Sequence, residues 1–71
     1  MAASKEGPMP IIHVHLFEGR TIDQKRKAAS SITQAVVGSL NVSADHVRII
    51  FHDMTKHDYS IGGQLVVDRE K

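Results

Sequence analysis

The sequence predicts an α+β domain: a β-α-β unit with parallel strands, one long helix and a C-terminal β-hairpin. Three observations predict it. A β-favouring run begins at Pro10 and turns at Gly19. Apolar residues then recur at helical spacing from Ile22 to about Leu40. A second alternating run spans Val47 to His52, and the Gly62-Gly63 pair that follows marks a tight turn. Two strands joined by a helix of that length are expected to lie parallel, with a right-handed crossover.

Residues 1–9 are small or polar, have no period, and read as an N-terminal extension. The domain is residues 10–71. In its first strand Ile12, Val14 and Leu16 share one face; Ile11, His13, His15 and Phe17 share the other. Glu18-Gly19-Arg20 turns the chain. Thr21 followed three residues later by Gln24 is a capping box, and Asp23 sits in the favourable first turn. Ala28, Ala29, Ile32, Val36 and Leu40 form the apolar stripe, with Lys25, Arg26, Lys27, Ser31, Thr33 and Gln34 among the polar remainder. Asn41 suits a left-handed stop. After a turn at Ser43–His46, the second strand puts Val47, Ile49 and Phe51 on one face and Arg48, Ile50 and His52 on the other. Asp53 to Ser60 is a polar loop containing Tyr59. Ile61-Gly62-Gly63-Gln64 leads into Leu65-Val66-Val67, and Asp68 to Lys71 is a charged tail.

Composition narrows the functional classes. The chain has 71 residues and no cysteine, so neither disulfides nor thiolate zinc can staple it. Its aromatic residues are Phe17, Phe51 and Tyr59 alone. A core that thin, under a two-stranded sheet with open edges, calls for a partner subunit. A net charge of +1 carries no footprint for nucleic acid or an acidic membrane. No apolar run approaches the roughly 18 residues of a spanning helix, and the N-terminus has no apolar signal region. The expected location is the cytoplasm.

From Pro10 onward the chain resembles the 4-oxalocrotonate tautomerase family. The resemblance is carried by Pro10-Ile11, Leu16, Glu18-Gly19-Arg20, the Asp23-Gln24-Lys25 helix start, Ser39-Leu40, Val47-Arg48, Met54 and Ile61-Gly62-Gly63. It implies an isomerase that interconverts enol and keto forms of small 2-hydroxy-dienoate or enol carboxylates, as in aromatic compound catabolism. It also implies a homo-oligomer, a hexamer built as a trimer of dimers, with sites near subunit boundaries and no cofactor or metal. On the matching residues, Pro10 would be the general base through a free secondary amine. Arg20 would bind the distal carboxylate of the substrate. Arg48 of a neighbouring subunit would hold the other carboxylate and the 2-oxygen and draw charge toward it. Tyr59 falls where the family has a phenylalanine packed against substrate.

That chemistry is physically sound. A free α-amino group ordinarily titrates near about pH 8, well below a lysine, and apolar surroundings or nearby cations lower it further. The amine is then a neutral base near about pH 7, able to move a proton from an enol oxygen or α-carbon to another carbon. Two arginines give bidentate carboxylate recognition and stabilise dienolate charge. Without the resemblance Arg20 is a solvated turn residue. Arg48, inside a strand between Val47 and Ile49, asks for a carboxylate or a cavity.

The sequence departs from the family at two places. Pro10 follows Met9, and inside a chain its nitrogen is an amide with no lone pair to act as a base. Initiation at Met9 with its removal, or proteolysis of a genuine extension, would expose it. Retention of residues 1–9 would leave an inactive or altered tautomerase-fold oligomer. Tyr59 keeps the ring but adds a hydroxyl that needs a partner if buried. His13, His15 and His52 raise a metal reading, since three imidazoles suit zinc or copper. No acidic ligand is placed beside them, however, and His13 and His15 would stand roughly 7 Å apart. They read instead as sheet or interface residues whose clustering would make assembly pH-sensitive.

Overall fold

The computed structural model describes residues 10–69. The N-terminal extension, residues 1–9, and residues 70–71 of the charged tail lie outside the described residues. Strand β1 (Ile11–Phe17) leads into helix α1 (Ile22–Leu40), and a 3-10 turn at Ala44–His46 delivers the chain to β2 (Arg48–Met54). A hairpin of two very short strands follows, β3 (Ser60–Ile61) and β4 (Gln64–Leu65), and the described chain ends in a single helical turn, α2 (Val66–Arg69). This is the expected β-α-β core and C-terminal hairpin.

Local chemistry fixes the ends of α1. The Thr21 hydroxyl accepts from the Gln24 amide at 3.1 Å, and the Gln24 side chain accepts from the Thr21 amide at 2.9 Å. The two bonds satisfy donors that a helix start otherwise leaves unpaired. Asn41 stops the helix in the left-handed region, φ 58°, with its amide donating to the Val37 carbonyl.

The strands β1 and β2 pair in parallel, with Ile11 opposite Arg48, His15 opposite His52 and Phe17 opposite Met54. Pairing therefore carries β2 two residues past the expected end at His52. Asp53 and Met54 extend to match Leu16 and Phe17, and Asp53 is held by Lys25 of α1 at 2.9 Å. The helix covers the face bearing Ile12, Val14, Leu16, Ile49 and Phe51, all half-buried. It contributes Lys25, Ala28, Ala29, Ile32, Thr33, Val36 and Val37 at helical spacing, also half-buried. Leu40, expected inside this stripe, is 57% exposed, because the last turn of α1 projects into solvent.

Of Leu65-Val66-Val67, the run that follows the glycine turn, Leu65 ends β4 and the two valines open α2. Only Leu65 joins the hairpin ladder, whose pairs are Ser60 with Leu65 and Ile61 with Gln64. The Val66 amide continues the hairpin register to the Tyr59 carbonyl at 2.9 Å, and the Val67 amide leaves it for the Lys56 carbonyl at 3.2 Å. Gly62 and Gly63 make the turn with φ 62° and 89°, a conformation that side chains with a Cβ resist.

No side chain is fully buried among the described residues. The second face of the sheet, carrying Ile11, His13, His15, Arg48 and Ile50, is uncovered.

Candidate active site

The structure places the residues singled out in the sequence in two groups, at opposite ends of β1. Pro10 lies at the start of the strand, half-buried. Its carbonyl accepts the Arg48 amide at 3.0 Å, so the backbones of Pro10 and Arg48 are neighbours. The Arg48 side chain is exposed on the uncovered face, and its guanidinium donates to the Asp45 carbonyl at 3.3 Å. No carboxylate accepts from it among the described residues. A strand arginine with only a long backbone contact keeps most of its five donors for something else.

Arg20 stands past the other end of β1. Seven strand residues rising about 3.3 Å each separate the two ends by more than 20 Å. There Arg20 lines a cavity of about 190 Å³ on the helix side of the sheet, with Val14, Leu16, Gln24, Lys25 and Phe51. The arrangement is an apolar pocket with two cations in its wall. Lys25, read from sequence only as part of the polar helix surface, is brought there because the first turn of α1 crosses the end of β2. Its bond to Asp53 leaves Arg20 as the cation without a carboxylate partner in that wall, among the described residues.

Tyr59 is at the same end of the sheet but against the other face. Its ring packs edge-on to Phe17, centroids 5.6 Å apart and planes at 72°, a favoured aromatic geometry. At 44% exposure it reaches solvent. The loop that carries it is braced by Asp58, whose carboxylate accepts from the Thr55 hydroxyl at 2.8 Å, while the Thr55 hydroxyl accepts from the His57 amide at 3.1 Å. Asp58 thus has a structural task that its position in an ionisable rim did not announce. Below the loop a second cavity, about 340 Å³, is lined by Phe17, Glu18, Met54, Thr55, His57 and Val67.

One chain therefore joins Pro10 to Arg48, and separates that pair from both Arg20 and Tyr59. No single small molecule spans the gap. The fold is an open β-α-β subunit, with Pro10 and Arg48 at one end of its sheet and Arg20 and Tyr59 at the other.

The chain belongs to the tautomerase family of enzymes. The family model described as "Tautomerase enzyme" matches residues 10–69, so the match begins at Pro10. A 2-hydroxymuconate tautomerase of Pseudomonas putida is 37% identical over 57 residues, covering 80% of this chain and 90% of the relative. Among solved structures, a 4-oxalocrotonate tautomerase isozyme from Methylibium petroleiphilum superposes with a TM-score of 0.82 at 44% identity, covering 86% of this chain and 95% of that one. A structure described as an R7 fused 4-OT wild-type asymmetric trimer superposes at 0.80 with 25% identity; it covers 90% of this chain but only 52% of its own.

Proposed function

We infer that this tautomerase converts enol to keto forms of small 2-hydroxy-dienoate or enol carboxylates, with the secondary amine of Pro10 as general base once it heads the chain. The observation that carries the reading is the family match over residues 10–69. The Pseudomonas putida relative, a 2-hydroxymuconate tautomerase, supports the substrate class.

The proposed steps follow from the groups available. The neutral amine of Pro10 takes the enol proton and returns it to a carbon of the conjugated chain, so one O–H bond is exchanged for one C–H bond. Arg48 of a neighbouring copy holds the near carboxylate and the 2-oxygen, where dienolate charge gathers. Arg20 holds the far carboxylate as a bidentate partner. The Tyr59 ring packs against the substrate and keeps water from the amine. No cofactor or metal enters the scheme.

Arg20 and Pro10 of one chain cannot share a substrate, so a neighbouring copy supplies the missing partner. The proposed assembly is a homo-oligomer, a hexamer built as a trimer of dimers, working in the cytoplasm. The fused relative, about twice this chain's length and a trimer, is consistent with paired units associating in threes. A second reading rests on the nine residues that precede Pro10. While the Met9–Pro10 bond is intact the nitrogen is an amide, and the chain is a tautomerase fold without its base.

Turnover of 2-hydroxymuconate by the full chain and by a version beginning at Pro10, each checked by intact mass, separates the two readings. The proline-base reading expects the shortened form to exceed the full chain by the roughly 10²–10⁴ that a general base contributes. Equal turnover by both forms, or survival of activity in Pro10→Ala of the shortened form, would remove Pro10 from the mechanism.

A further inference from the structure

The uncovered face of the sheet carries three imidazoles that the tautomerase chemistry leaves unused. His13 and His15 come from β1 and His52 from β2. His13 Nδ1 and His52 Nε2 are 2.7 Å apart, a hydrogen bond that exists only while one of the two nitrogens is unprotonated. The rings of His15 and His52 stack at 4.4 Å, those of His13 and His52 at 5.0 Å, all within 19° of parallel. Parallel rings aim their in-plane lone pairs side by side instead of at one point. Among the described residues no three His, Cys, Asp or Glu are arranged to hold a metal ion.

On the two strands themselves the charge beside the cluster has one sign. Arg48 shares its face and is permanently positive. The carboxylate of β2, Asp53, lies on the helix side and is bonded to Lys25. At the far end Tyr59 packs on Phe17, and Glu18, Lys56 and His57 line the cavity beside Phe17 and Met54. Each proton taken up by the cluster thus adds a like charge with no carboxylate on either strand to balance it.

The same face is apolar at its flanks. Ile11 and Ile50 are 47% and 44% exposed, and nothing in the described chain is fully buried. A chain this short needs more burial than that to stay folded. A neutral imidazole carries one donor and one acceptor, so a row of them is complementary to the same row on a two-fold-related copy. We propose that the His13, His15 and His52 face packs against a second copy of this chain while the cluster is neutral, and that protonation of the cluster drives the copies apart.

The sign follows from linkage. Burial against a copy disfavours the charged imidazoles, so the separated chains bind more protons than the assembly. Association is then fully present above the ordinary imidazole range and is lost as pH falls through it. One linked proton raises the dissociation constant about tenfold per pH unit.

The proposal rests on the association of copies inferred above, and sedimentation velocity of the full chain over a dilution series from about pH 8 to about pH 5 tests both. Absence of any assembly at the alkaline end would overturn association itself. Assembly with an unchanged dissociation constant across the range would overturn the proton gate and leave association standing. The expected result is a dissociation constant that climbs at least tenfold per pH unit over part of this window. The double variant His13→Gln with His52→Gln is expected to flatten that slope, whereas His57→Gln, past the end of β2 and outside the stacked rings, keeps it. An unflattened slope in the double variant would overturn the assignment to these residues. If that variant fails to fold, histidine proton NMR of the wild-type chain decides: His13, His15 and His52 must titrate across the same pH interval as dissociation, and their failure to do so overturns the gate.

Discussion

At the scale of single residues, the two arginines invite different kinetic signatures. Arg48 is proposed to meet charge that develops only during reaction, so Arg48→Ala should lower kcat by about 10²–10³. Arg20 is proposed to meet a carboxylate that is present throughout. Arg20→Ala should therefore raise KM, by the roughly 10–100-fold that a charge-assisted hydrogen bond represents, and leave kcat closer to the parent. Steady-state kinetics of both variants on a diacid substrate checks this; the opposite split would exchange their roles. Tyr59 is 44% exposed, so its hydroxyl meets water and costs the fold nothing. Tyr59→Phe should stay within about 0.5 kcal/mol of the parent in chemical denaturation. All four residues could be picked out from the sequence by resemblance. What the sequence did not disclose is that Arg20 lines a pocket on the helix side while Tyr59 packs on the opposite face, because both placements depend on contacts between elements that no local pattern records. Lys25 beside Arg20 was hidden for a related reason: a lysine in a first helical turn looks the same whether it faces solvent or crosses a neighbouring strand.

At the scale of elements, legibility follows how local the cause is. The limits of α1 could be read because Thr21, Gln24 and Asn41 act within a few residues of themselves. Thr21→Ala should cost about 1 kcal/mol in thermal or denaturant unfolding. Asn41→Gly should be tolerated, since glycine also adopts the left-handed φ of 58°, while Asn41→Val should destabilise by roughly 1–2 kcal/mol. The end of β2 was misread because it is set by a partner: Asp53 and Met54 are extended only because Leu16 and Phe17 lie opposite. Val66 and Val67 favour strand by propensity; the Val66 amide keeps the hairpin register to Tyr59, but the Val67 amide is claimed by the Lys56 carbonyl, and so short a ladder has little pull to oppose that. The Lys25–Asp53 bond looks like a clamp between helix and sheet, but both side chains are partly exposed, 28% and 44%. Such pairs contribute about 0–1 kcal/mol, so Asp53→Asn should shift stability little.

At the scale of the whole molecule, the lack of any fully buried side chain in the described residues ties folding to the proposed association. The melting temperature should fall on dilution, as measured by circular dichroism at several protein concentrations; a melting temperature independent of concentration would mean that the single chain stands alone. The thin aromatic content and open sheet of the sequence point the same way, and the face bearing Ile50, opposite the helix, is bare in the structure. The distance along β1 has a genetic consequence as well. If each site takes Pro10 from one chain and Arg20 from another, the two defects are separable alleles. Assayed below the parent KM, where Pro10→Ala and Arg20→Ala chains should each turn over slowly, the two should complement when unfolded together and reassembled. Random mixing would restore about one site in four, each built from the intact half of both parents.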